Sequence, residues 1–280
     1  MSTRNEPVRP FIGNTGTLLN KMREQGPLVH HITNWVTIYG CAAMTRAFGA
    51  LPVMAHAGEE AEEMTAHAQA LVLNIGTLTP ELIDSMISAG TKANVLDIPI
   101  VLDVVGAGAT ELRTDACRKI LASVHADIIK GNAGEIGTLA GLAAEVKGVE
   151  SISLAGDRAE AATHLATETK SVVVITGEED IITDGTSVLL ATNGHPRMGE
   201  VVGTGCMAAS AIGCFAAVEE DHLIAAASAL AVYGMAGETA AEEAAGPGTF
   251  LPCLIDAVAA LDDKTVQARI QIEENGSEKR

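Results

Sequence analysis

Residues 98–110, IPIVLDVVGAGAT, and 127–141, DIIKGNAGEIGTLAG, decide the fold between them. Each begins with an apolar run of buried-strand type, passes through a glycine-bearing loop, and leads into a helical pattern. The same rhythm extends outward. PLVHHIT (27–33) reads as a strand and NWVTIYGCAAMTRAFGA (34–50) as a helix. LPVMA (51–55) is a short strand before the acidic helix EEAEEMTAHA, and ALVLNIG (70–76) a strand before TLTPELIDSMISAG. In that last segment Thr79 is the expected cap, Pro80 the first helical residue and Gly90 the position just past the end. Strands alternating with helices predict crossover units and a mainly parallel sheet with helices on both faces. Residues 172–192, VVVITGEEDIITDGTSVLLAT, break the pattern with three strand runs, and Asp184-Gly185 marks a hairpin. An antiparallel edge is expected there. Residues 205–261 read as nearly all helix, interrupted at AAGPGTF. With no repeat and no long linker, 1–280 is read as a single domain; 141–156 is loop-like, and about 270–280 is a disordered tail.

Bulk properties narrow the function. Among 280 residues the net charge is −18, which argues against nucleic acid and anionic membranes as partners. A phosphate ligand would need backbone amides, helix N-termini or a metal to supply positive field. No uninterrupted apolar run of spanning length is evident, and MSTRNEPVRP lacks the apolar core of a secretory signal, so the cytoplasm is the expected compartment. The cysteines at 41, 117, 206, 214 and 253 form no paired metal-type spacing.

Four places could carry chemistry. In VVGTGCMAAS (201–210), glycines flank Thr204 directly before a helical run. Flexible backbone and unpaired helix-terminal amides there can cradle a phosphoryl group, with Thr204 and Gly205 as the anion hole. A purely structural turn fits the same residues. In IIKGNAGEIG, Lys130 ends a strand, Asn132 caps a helix, and Glu135 lies one turn in, either as a capping-box partner or as a carboxylate for magnesium. Asp103 ends an apolar strand, where burial is costly without a cation or donors; a turn-forming role is the alternative. In HHITN, His30 and His31 point to opposite faces and make a poor metal pair, while Asn34 is read as a helix cap within reach of a substrate. Met54 and Trp35 read most simply as packing.

Taken in order, HHITN, ALPVMA, LNIGTLTP, LDVVGAGAT, IKGNAGEI, VVVITGEEDIITDG and VVGTGCMAASAIG resemble the hydroxyethylthiazole kinase family, from about residue 27 to 255. Its members are ribokinase-like α/β enzymes that salvage the thiazole half of thiamine. The resemblance implies phosphorylation of 4-methyl-5-(2-hydroxyethyl)thiazole by ATP and magnesium in a homotrimer. It implies that Cys206 stands where most ribokinase-like enzymes carry a catalytic Asp, with Gly203, Met54 and Asn34 at the thiazole, Lys130 and Thr176 at ATP, and Glu135 and Asp103 at magnesium and phosphate. Departures from the family pattern are Lys130 for the common Arg, Val104 after Asp103 in place of Pro, and Trp35 in place of an acid. Three rivals share the fold: a kinase of a hydroxymethylpyrimidine, a nucleotide-dependent dehydratase, and a non-catalytic thiazole or nucleotide sensor.

Overall fold

The computed structural model describes residues 14–141 and 155–274. Nine strands form one sheet in the order β2-β1-β3-β4-β5-β6-β7-β8-β9. Strands β1 (Leu28–Ile32), β2 (Leu51–Val53), β3 (Ala70–Asn74), β4 (Ile100–Asp103), β5 (Ile128–Asn132) and β6 (Val172–Thr176) are parallel. Strands β7 (Asp180–Thr183) and β8 (Val188–Ala191) extend the sheet antiparallel, as the hairpin signals predict, and β9 (Ile272–Glu274) adds a further antiparallel strand. Strand β9 is a correction to the expected tail, because 272–274 pair with β8 in register Leu189↔Glu274. Only 275–280 of that tail lie outside the described residues, as do 142–154 of the segment read as loop.

The central strands bury both faces, so successive side chains serve two cores. Val29, Val72, Val101, Ile128 and Val174 face one core, with α1 (Thr15–Gln25), α2 (Ile38–Phe48), α8 (Thr204–Ala216), α9 (His222–Glu243) and α10 (Pro247–Ala260). Leu71, Leu73, Ile100, Leu102, Ile129 and Val173 face the other, with α3 (Gly58–Thr65), α4 (Pro80–Val95), α5 (Glu111–Ser123), α6 (Ala133–Leu139) and α7 (Ala155–Thr169). A short helix, α11 (Asp263–Arg269), leads into β9.

Two sequence expectations change here. Thr79 caps α4 through the Leu82 amide, but the helix passes through Gly90 to Val95. Gly90 is a contact residue and not a terminator: a Cβ there would lie 2.7 Å from Val124 Cγ1. Helix α9 does have the length and apolarity of a membrane span, yet 89% of its apolar window is buried within the structure. It is apolar all round because it is packed all round, between α8, α10 and the sheet.

Strand alternation separates the two histidines of β1. His30 turns to Thr65 Oγ1 (2.9 Å) and Ala55 O (2.8 Å), and His31 to Thr45 Oγ1 (3.3 Å) and Val29 O (3.1 Å). Both are fully buried, and burial pushes His31 from 6.5 to about 3. A histidine kept neutral in the fold but free to protonate when unfolded contributes stability above pH 6.5 that is lost as the pH falls towards 3. Chemical unfolding at a series of pH values from 7.5 to 4.5 is expected to show falling stability, with proton uptake on unfolding reduced by about one at the acid end of the series in His31→Gln.

Candidate active site

The carboxyl edge of the parallel strands gathers polar residues into one row. Asn74 closes β3, Asp103 closes β4 and Lys130 lies near the end of β5, and the register pairs Asn74↔Asp103 and Asp103↔Lys130. All three are buried and share the face covered by α8. Lys130 Nζ donates to Asp103 Oδ1 at 3.3 Å, and Asn74 Nδ2 donates to Asp103 Oδ2 at 2.7 Å. Burial pushes the Asp103 carboxyl up, against the pull of the Lys130 ammonium. Burial also works against charge on Lys130, but the Asp103 and Glu135 carboxylates outweigh it, and its pKa stays above the ordinary lysine value.

Cys206 reaches this row from above. Gly203 takes a left-handed conformation (φ +93°), and α8 starts immediately after it. The first turn presents Thr204, Gly205 and Cys206, whose amides have no partner within the helix and carry the positive end of its dipole. Lys130 Nζ stands beside Gly205, 3.4 Å from where a Cβ would be. Cys206 Sγ accepts from Asn34 Nδ2 at 3.4 Å, and Asn34 donates also to Asn74 Oδ1 at 2.9 Å. An unbroken chain of hydrogen bonds therefore joins Cys206, Asn34, Asn74, Asp103 and Lys130. Burial and Asp103 push the Cys206 thiol up, while Thr37, Lys130 and Asn74 pull it back. The group at rest is the thiol.

The remaining predicted positions flank this cluster. Asn34 does not cap α2 directly; its Oδ1 accepts from the Val36 (3.1 Å) and Thr37 (3.0 Å) amides in a turn that delays the helix to Ile38. The Thr204 hydroxyl is committed to Met198 O at 2.8 Å, so this residue offers an anion its backbone only. Glu135 closes a capping box with Asn132, its Oε2 accepting from the Asn132 amide (2.7 Å), while its Oε1 accepts from the Gly106 amide (2.7 Å). The carboxylate thus secures both the start of α6 and the loop after β4. Thr176 lies on β6, with its hydroxyl on Gly131 O at 3.4 Å. Met54 follows β2 on the other flank, its carbonyl bonded to His56 Nδ1 (3.1 Å), and the His56 ring stacks on Trp35 with centroids 4.6 Å apart.

Two residues that the sequence reading passed over belong to the site. Asn74 links Asn34 to Asp103; its signal was a polar residue ending an apolar strand, the same signal that marks Asp103. Arg113, on α5, donates to the carbonyls of Ile75 (3.2 Å), Val105 (3.3 Å) and Gly76 (2.8 Å), and so ties down the loops after β3 and β4. Among the described residues, no three His, Cys, Asp or Glu side chains form a ready metal cage. Both oxygens of Asp103 and of Glu135 already accept hydrogen bonds, so a magnesium ion arriving on nucleotide phosphates would draw on their remaining lone pairs and take its other ligands from phosphate and water.

Gly203 is a strict position, since its φ disfavours any side chain and a Cβ would meet Thr37 Cγ2 at 2.5 Å. Gly203→Ala is expected to cost about 1–3 kcal/mol by thermal unfolding and to weaken turnover more than nucleotide binding.

With this geometry in place, comparison with known proteins is specific. Residues 19–264 match the model of the hydroxyethylthiazole kinase family. The hydroxyethylthiazole kinase of Methanosarcina mazei is 57% identical over 256 residues, covering 91% of this chain and 98% of that one. A solved hydroxyethylthiazole kinase from Pyrococcus horikoshii superposes with a TM-score of 0.87 at 40% identity, covering 94% of this chain and 99% of that one. A ribokinase-like superfamily protein from Enterococcus faecalis, 14% identical with a TM-score of 0.61 over 92% of both chains, shares the fold alone. The chain has the ribokinase-like fold and belongs to the hydroxyethylthiazole kinase family.

Proposed function

We propose that this enzyme transfers the γ-phosphoryl group of ATP to the hydroxyl of 4-methyl-5-(2-hydroxyethyl)thiazole in thiamine salvage. The observation that carries the reading is the placement of Cys206 on the first turn of α8, hydrogen-bonded into the Asp103–Lys130 row. Phosphoryl transfer needs the alcohol oxygen in line with the phosphorus and the charge on the phosphoryl oxygens neutralised. The amides at Thr204, Gly205 and Cys206, with Lys130 beside them, supply the second requirement. Cys206 and Asn34 supply the first, by orienting the hydroxyl. In a loose transition state the alcohol keeps its proton until late, so a buried thiol suffices where a stronger base would add little. Met54 and Gly203 border the thiazole in this reading, while Thr176 and Lys130 face the nucleotide. Magnesium, held by Asp103 and Glu135 with the phosphates, supplies further charge neutralisation when bound.

The same reading makes the enzyme a cytoplasmic homotrimer. Trp35 (57% exposed) and Val36 (69%) in the turn before α2, Tyr39 (77%) in its first turn and Val202 (77%) just before α8 leave an apolar rim beside the site that a second copy would cover. All five cysteines are free, as suits a reducing compartment.

Product formation from hydroxyethylthiazole with ATP and magnesium, run in parallel with a hydroxymethylpyrimidine, tests the assignment. Catalytic turnover of the thiazole is expected; turnover of the pyrimidine alone would keep the kinase and move the substrate. Cys206→Ala is expected to lower kcat at least tenfold, about 1.4 kcal/mol of barrier. Unchanged turnover in that variant removes the role of the thiol.

A further inference from the structure

Asn74 is buried to 1% exposure, and its amide oxygen and nitrogen each have fixed partners. Oδ1 accepts from the Gly76 amide at 3.0 Å, and Nδ2 donates to Asp103 Oδ2 at 2.7 Å. A backbone N–H can only donate and a carboxylate can only accept, so the Asn74 amide has one permitted orientation. The same logic passes to Asn34. Its Oδ1 is held by two backbone amides, so its Nδ2 must face Asn74 Oδ1 (2.9 Å), and the second Nδ2 hydrogen is left for Cys206 Sγ (3.4 Å). Space enforces the arrangement too. A Cβ on Gly76 would lie 2.8 Å from Asn34 Cβ, so the loop after β3 closes directly on the Asn34 side chain.

We propose that Asn74 is a positioning residue for the phosphoryl transfer: it sets the rotation of the Asn34 amide, and through it the orientation of the Cys206 sulfur, while holding the second oxygen of Asp103. Asn74 touches no reacting atom in this scheme. The proposal rests on the reading that Cys206 meets the alcohol. An apolar side chain of similar size would leave an Asn34 N–H without its acceptor and Asp103 Oδ2 without its donor. Both groups are buried, so both would turn to find partners.

The test is a double-variant cycle with a readout at the thiol itself. Asn74→Leu is compared with wild type, with Cys206→Ala and with the double variant. The measurements are kcat, KM for each substrate, thermal midpoint, and the iodoacetamide alkylation rate of Cys206 resolved by peptide mass. The partly buried Cys253 serves as the internal reference. The expected result is a fall in kcat of tenfold or more with both KM values within about threefold. Alkylation of Cys206 changes at least threefold while Cys253 does not, and Asn74→Leu costs at least threefold less in the Cys206→Ala background than in wild type, the remainder being the lost hold on Asp103. Asn74→Ser, smaller and still polar, carries the same comparison if the leucine variant does not fold. An equal loss of kcat in both backgrounds, or a Cys206 alkylation rate unmoved by the substitution, overturns the role of Asn74. Full turnover in Cys206→Ala alone overturns instead the reading of the thiol, and the proposal with it. The two failures are therefore distinguishable.

Discussion

A carboxylate and an ammonium buried side by side, Asp103 and Lys130, are the constraint around which the edge of this sheet is organised. Removing two such charges from water is expensive, and their mutual attraction offsets the cost only if the remaining lone pairs and protons are also satisfied. Parallel register brings the pair together, since Asp103 and Lys130 are direct partners across β4 and β5. Asn74, one strand further along the same row, satisfies the second carboxylate oxygen. The first turn of α8 lies over the ammonium and keeps its dipole there. Sheet register, a buried amide and a helix terminus each contribute to one electrostatic arrangement, which is why the arrangement sits at the strand ends and nowhere in the two apolar cores.

Holding α8 that close requires small side chains. A Cβ on Gly213 would meet Val72 Cγ2 at 2.4 Å, so the helix and β3 touch where only glycine fits. Ala209, one turn earlier on the same face, continues the close approach. A large side chain at Gly213 would lift the helix off β3 and its N-terminus away from Lys130 and Asn34. Packing in the core and geometry in the site are one constraint.

Much of this was legible in the residues. The strand–helix rhythm, the Asp184-Gly185 hairpin and the glycine turn before α8 all depend on local patterns, and local patterns survive into the fold. Lys130 and Asp103 stood out because polar residues ending apolar strands need an explanation. Asn74 carried the same signal and was passed over, since an Asn before a glycine-bearing loop also reads as ordinary turn chemistry. Gly90 was misread for a related reason: a glycine at the end of an apolar pattern signals termination, and only the position of Val124 reveals it as a contact. Asn34 was read as a cap because sequence shows a donor-hungry helix ahead of it, but not the turn that intervenes. Strand β9 follows a long helical stretch, and its partner β8 is some eighty residues earlier, beyond any local pattern. The roles of Arg113 and Glu135 as loop clamps depend likewise on which carbonyls and amides tertiary folding brings within reach.

The same electrostatics favours a neutral group at residue 206. The chain carries a net charge of −18, and Asp103 and Glu135 already act together on Lys130. A carboxylate at the start of α8 would be a third anionic group around one ammonium, facing phosphates that are themselves anionic. Like charges at that spacing drive one another to protonate and weaken the field available to the phosphoryl group. A thiol avoids this. Burial and Asp103 keep it neutral at rest, so the positive field of Lys130 and the α8 amides is not spent on a neighbour. Its sulfur still accepts the Asn34 hydrogen bond that fixes its place. In the proposed transfer a weaker base is the consequence, and a transition state in which the alcohol loses its proton late tolerates it. Cysteine at this position is a choice of charge as much as of chemistry.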